Sequence, residues 1–191
     1  MEERSASVNS FTSLAVASEV KAGEASGSNA LRSVRFGLLA LWLGAAVFFS
    51  FAVAPTAFAV LRGLGVPNAN HAAGSIVTRT LTVVNLSGFL ISVLLILSAF
   101  MLGRLKSVRA FYAEIISLAV IAITTGVGHW IINARLFALR MAMGRPIDEV
   151  AQSDPLRVAF NSLHGYSVVL MSVGMIACVV ALTLIARRRA G

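Results

Sequence analysis

Four stretches of this chain carry no charged residue: Phe36–Leu61, Thr80–Gly103, Ile115–Ala134 and Val158–Ala186. Helices of soluble proteins keep a polar face that recurs every 3.6 residues. These stretches keep none, and each is long enough for the roughly 20 residues that cross a hydrocarbon core about 30 Å thick. The pattern predicts an all-α membrane protein, an antiparallel bundle of four transmembrane helices with spans at about 36–61, 78–103, 111–134 and 160–186. Residues 1–31 are rich in Ser, Ala, Gly and Glu with weak periodicity. That composition predicts a disordered polar tail ahead of a four-span domain over 32–191.

The ends of the runs say more. Ala52-Val53-Ala54 resembles a signal-cleavage site, but the apolar run around it far exceeds a signal core of about 7–15 residues. Pro55 would also sit at the scissile bond. Pro55 lacks a backbone donor and its ring clashes with the carbonyl of Phe51, so the first helix is expected to kink or end there. Ser50 and Thr56 are the local candidates to satisfy the freed carbonyl. Further on, Ile131–Gly144 keeps a helical pattern, and Gly144 suits a helix C-terminus. "SDPLRVAF" then opens a helix, with Ser153 or Asp154 as N-cap and Pro155 in the first turn. Helices 3 and 4 should therefore extend past the bilayer, joined by a short link over about 145–153. Phe137, Leu139, Met141 and Met143 give the extension an apolar side, for packing on the next helix or for the headgroup level.

Composition agrees. The 191 residues are 58% hydrophobic and 13% charged, against about 25% charged in soluble domains, and the mean hydropathy is +0.85. The formal net charge is +8. Because the charges punctuate apolar runs instead of forming a patch, they point to anionic lipid headgroups as partners and not to nucleic acid. The tail, the 2–3 loop and the C-terminus carry ten Lys/Arg, including Arg187, Arg188 and Arg189; the opposite side carries six, namely Arg62, Arg79, Arg135, Arg140, Arg145 and Arg157. The excess predicts cytoplasmic termini in the cell inner (plasma) membrane. The single cysteine, Cys178, leaves the redox compartment open.

Without a hydrophobic drive between helices in lipid, small and hydrogen-bonding residues mark packing faces. His71, Gly74, Thr78, Thr82, Asn85, Gly88 and Ser92 make one stripe on span two. Ala122 with Gly126, Thr124 with Gly128, and Ala40 with Gly44 have small-xxx-small spacing. These faces serve helix contact and permit a homo-oligomer; alternatively the span-two stripe lines a proton or ion path, with Thr82 and Asn85 as the residues to test. Polar side chains in membrane helices are functional candidates. They are His71, Asn85, Glu114, Arg157, Asn161 and His164. Arg157, Asn161 and His164 share one face of helix 4; His129, Asn133 and Arg140 share one face of helix 3. Counting about 1.5 Å per residue from the hairpin brings His129 and His164 within two turns of the same depth. No cofactor is expected; the alternative is a redox protein holding haem b or copper on that pair. Glu114 is expected to neutralise a Lys or Arg of the 2–3 loop at the interface. Tyr112, Trp130 and Tyr166 read as interfacial aromatics. No GxSxG, paired carboxylates or phosphate loop is present, which points away from an enzyme.

"LWLGAAVFFSFAVAPTAFAVL", "AAGSIV", "ARLFALRMAMG" and "FNSLHGYS", in that order, resemble the transmembrane protein 205-like family over roughly Val34 to Ala186. Trp42, Gly44, Pro55, Phe58, Ala73, Gly74, Phe160, Leu163, His164 and Ser167 would be its marked positions. The resemblance implies a four-helix membrane protein of unknown molecular function, with eukaryotic relatives linked to drug or metal tolerance; a role in transport or stress tolerance is the matching expectation. The four-helix plan also looks like copper-resistance D-type proteins and a small haem-binding protoporphyrinogen oxidase. This chain lacks the span-one histidine such a haem site would use.

Overall fold

The structure, a computed structural model, describes residues 27, 29–101 and 108–187. The predicted tail and the 2–3 loop lie largely outside them, as do Arg188 and Arg189. The chain falls into two compact units, Met1–Gly37 and Leu38–Gly191, and the second holds the helix bundle.

Four helices are long and apolar enough to cross a membrane: α1 (Asn29–Gly63), α2 (Ala69–Met101), α3 (Val108–Met143) and α4 (Pro155–Arg187). No strand occurs among the described residues. The helices outrun the charge-free stretches that predicted them. α1 begins at Asn29, inside the stretch read as tail, and α2 begins well before Thr80. Arg79, which bounds the second stretch, is an ordinary exposed position of α2. A long guanidinium stem can lie along an apolar helix with its head at the headgroup level, so one arginine does not end a membrane helix.

Pro55 does not end α1. Phe49–Val53 forms a π turn, and the N–H of Ala54 donates to the carbonyl of Phe49, five residues back. The wider turn takes up the missing proline donor, and helix resumes over Ala54–Gly63. Neither Ser50 nor Thr56 donates to a freed carbonyl among the described residues. α3 carries a second π turn, Val127–Ile132, closed by the Asn133 N–H on Gly128 O. Past it, α3 runs to Met143 and stops at Gly144, whose φ of 63° is a left-handed cap that glycine adopts without strain. Asp154 is the N-cap of α4, accepting the Leu156 N–H at 2.8 Å.

α3 packs along α4 and against α2, while the C-terminal part of α1, Ala54–Gly63, packs on α2. Small residues set these contacts where the sequence stripes place them. The indole of Trp42 crosses from α1 over Gly88 and donates to Val84 O at 2.9 Å. Phe89 covers Gly126, the Asn85 amide lies against Gly128, and Thr124 faces Gly174. Gly44 is the exception: it is exposed with open space about it, so its pairing with Ala40 marks no contact within the bundle. Several buried hydroxyls turn back on their own helices, as when Thr125 donates to Ile121 O at 2.6 Å, though the Ser92 hydroxyl is buried without a partner. The return bond satisfies the Thr125 hydroxyl in a place without water.

The extension of α3 divides its apolar side chains. Leu139 and Met143 join a cluster around Ile132, Leu136 and Phe160, which fastens α3 to α4. Phe137 and Met141 point outward.

Candidate functional site

At the end of the bundle that holds the α1–α2 and α3–α4 connections lies a half-enclosed cavity of about 200 Å³. Phe58 of α1, Asn70, Gly74, Thr78 and Leu81 of α2, and Asn133, Leu136 and Arg140 of α3 line it. Ile147 of the link and Arg157, Phe160, Asn161 and His164 of α4 complete the wall. The two polar faces read from helices 3 and 4 thus meet in one space, apart from His129.

Two cations dominate this space. The Arg140 guanidinium lies over the Phe160 ring, 5.2 Å from its centroid. It also presses on α2 so closely that its Nη2 is 2.8 Å from where a Cβ on Gly74 would stand. Glycine is therefore what lets the guanidinium reach across the cavity. Arg157 donates through Nη1 to Val150 O of the link, while its Nε is buried without a partner. Among the described residues neither guanidinium has a carboxylate at ion-pair distance. The acid nearest to Arg140 in the chain is engaged elsewhere: Asp148, in a single 3₁₀ turn over Ile147–Glu149, accepts from Asn70 Nδ2 at 2.5 Å and from the His71 N–H at 3.0 Å. Those bonds fasten the link onto the start of α2 and set Ile147 as part of the cavity wall.

Amide and imidazole groups fill in around the arginines. Asn133 donates to Thr82 Oγ1 at 3.2 Å and leaves its Oδ1 buried without a partner. Asn161 and His164 are exposed on α4 and border the cavity mouth. Walls of Phe58, Val77, Leu81, Leu136 and Phe160 make most of the lining apolar. A space with two guanidinium cations, neither answered by a carboxylate among the described residues, and with apolar walls has the chemistry to hold an anion.

The other candidates lie apart. His129 stands within the π turn, edge-on to Trp130 at 4.8 Å between centroids, and its Nδ1 is buried without a partner. The cavity takes His164 but not His129. No group of three or more His, Cys, Asp or Glu side chains forms a candidate metal centre among the described residues. His71 contributes its backbone N–H to Asp148. Asn85 is 3% exposed and packed on Gly128. Below Leu81 the span-two stripe is filled, with Trp42 over Gly88 and Asn85 against α3. Glu114 is only 1% exposed, on the buried face of α3; most of the 2–3 loop it was expected to neutralise lies outside the described residues. Tyr112, Trp130 and Tyr166 are exposed, as interfacial aromatics are.

Sequence reasoning missed Asp148 and gave Arg140 no separate role. A carboxylate four residues after the helix-capping Gly144, in so short a link, was the available signal for the first. For the second it was Gly74, the sixth residue of α2.

These features define a multi-pass helical membrane protein with a cationic cavity at one end of its bundle. The chain belongs to the family described as Domain of unknown function (DUF4149), which matches residues 37–145. The match covers three helices and stops beside Gly144, so the α4 residues of the cavity lie outside it. No curated protein and no solved structure gives a significant match.

Proposed function

We propose that this protein is a non-enzymatic anion-binding protein of the cell's inner membrane, serving transport or tolerance of an acidic solute. The observation that carries the reading is the pair Arg140 and Arg157, both facing one cavity and neither matched by a carboxylate among the described residues. Unmatched cations in a largely apolar space are costly unless a ligand or water answers them. The excess of Lys/Arg at the opposite end supports cytoplasmic termini, which turns the cavity outward. The sequence resemblance to the transmembrane protein 205-like family fits the same reading. Its sequence signals, "ARLFALRMAMG" and "FNSLHGYS", supply Arg140 and His164.

The test is thermal unfolding of the detergent-solubilised protein against inorganic phosphate and sulfate at constant ionic strength. A ligand at about 100 times its dissociation constant raises stability by about 2.7 kcal/mol. Arg140→Gln and Arg157→Gln should each abolish the rise. A melting curve indifferent to every anion tried, at millimolar concentration, refutes the reading.

A further inference from the structure

The geometry points to the ligand's source: we infer that the cavity takes the anionic headgroup of a membrane amphiphile, entering sideways between α1 and α4. This rests on the anion-site reading and goes beyond it. Three observations carry it.

The first is the gap in the wall. The C-terminal part of α1 packs on α2, and α4 packs on α3, but no packing face joins α1 to α4 at this end. Phe58 borders the cavity on one side of the gap, and Asn161 and His164, both exposed, border it on the other. The mouth therefore faces the flank of the bundle as well as its end.

The second is height. α4 has 33 residues, about 50 Å at 1.5 Å per residue, against a hydrocarbon core of about 30 Å. Counted from Arg187, roughly 20 residues of core end near Ser167. His164 then stands about 5 Å and Arg157 about 15 Å beyond that edge. The headgroup layer is about 5–8 Å thick on each side, so the cavity runs from the hydrocarbon edge through that layer, with Arg157 at its water side.

The third is the collar outside it. Around the cavity each helix or its cap presents exposed apolar side chains: Val60 and the cap residue Leu64 of α1, Ile76, Phe137 and Met141, and Val158. Side chains of this size, exposed on every helix, suit the headgroup layer better than open water. A headgroup phosphate or carboxylate could meet Arg140 and Arg157 while its chain leaves past Phe58 and Leu81 into the bilayer.

The experiment uses the full chain in a non-ionic detergent, with binding read by native mass spectrometry and by melting temperature. The probes are phosphatidic acid, phosphatidylcholine and inorganic phosphate. The expected result is phosphatidic acid binding at least about tenfold tighter than either. Arg140→Gln should remove that preference, while Arg135→Gln, an exposed charge on the same helix, should leave it. Asn161→Trp, which narrows the exposed mouth without entering the core, should cut lipid binding and spare phosphate. Equal affinity for phosphatidic acid and inorganic phosphate would overturn lateral lipid entry and leave the anion site standing. An equal loss in Arg135→Gln and Arg140→Gln would overturn it too, as diffuse attraction to a basic surface. No response to any of the three probes would remove both readings.

Discussion

Replacing Gly88 with alanine tests the packing that holds α1 to α2. A Cβ there would stand 2.5 Å from Trp42 Nε1, 2.7 Å from Cε2 and 2.9 Å from Thr125 Cγ2. Ordinary contact is about 3.5–4.0 Å, so the indole must retreat by about 1 Å. It has little room, being 2% exposed with its far edge already 3.7 Å from the corresponding position on Gly174. Overpacking of this kind costs about 1–3 kcal/mol. The retreat also strains the 2.9 Å bond from the indole to Val84 O, worth about 1 kcal/mol. The better helix propensity of alanine returns about 0.5–1 kcal/mol. The net loss is about 2 kcal/mol, a fall in melting midpoint of about 4–8 °C for a chain of this size. Gly44→Ala is the matched control, since nothing lies within 4 Å of its Cβ position; its midpoint should hold or rise. Thermal unfolding of both variants in one detergent decides the matter. Equal midpoints for Gly88→Ala and Gly44→Ala would mean that Trp42 does not cross α2 as described.

Asp148→Ala removes the acceptor shared by Asn70 and the His71 N–H. Hydrogen exchange over residues 145–153 should quicken while the rest of α3 and α4 keeps its protection; unchanged exchange would show that the link is held otherwise. Asp154→Ala should cost about 1 kcal/mol through the lost N-cap, read as a lower midpoint, with Asp154→Ser recovering most of it. Gly74→Leu should drive the Arg140 guanidinium off α2 and weaken phosphate binding about as much as Arg140→Gln does; intact binding in Gly74→Leu would place the anion elsewhere. Reporters fused after residue 106 and after residue 149 should mark opposite sides of the membrane, and a shared side would break the four-span order.

The bundle was legible because lipid imposes a coarse rule: long uncharged runs must be helices, and there were four. The bounds were less legible, since Arg79 interrupts a run without interrupting α2. Gly144 and Pro155 marked the hairpin well, because left-handed caps and first-turn prolines are local choices. Pro55 marked an irregularity but not its form, because a π turn is a cooperative adjustment of several residues that no single residue announces. The stripe on span two did mark contact, but Gly44, with the same spacing, did not. Spacing alone fixes which residues share a face, and the neighbours decide which face is covered. The cavity was half legible. Asn161 and His164 stood out as polar groups in a helix, and so did Arg157. Arg140, by contrast, was counted among six arginines that weakened the charge asymmetry between the two sides. Arg140 and Arg157 face inward, so they dilute that asymmetry for reasons of their own.

The π turn at Val127–Ile132 holds one residue more than an α-helical turn of the same rise. Each residue of an α-helix advances the azimuth by about 100°, so everything after this turn is rotated by about that angle relative to an uninterrupted rod. Asn133, Leu136 and Arg140 all lie downstream of it. Converting this turn to regular α-helix with every residue retained would swing the guanidinium of Arg140 out toward lipid and bring a neighbour round in its stead, whereas excising one residue from 127–132 would straighten α3 and leave Arg140 facing the cavity. The aim of the cation is thus set two turns away, by one surplus residue in the backbone.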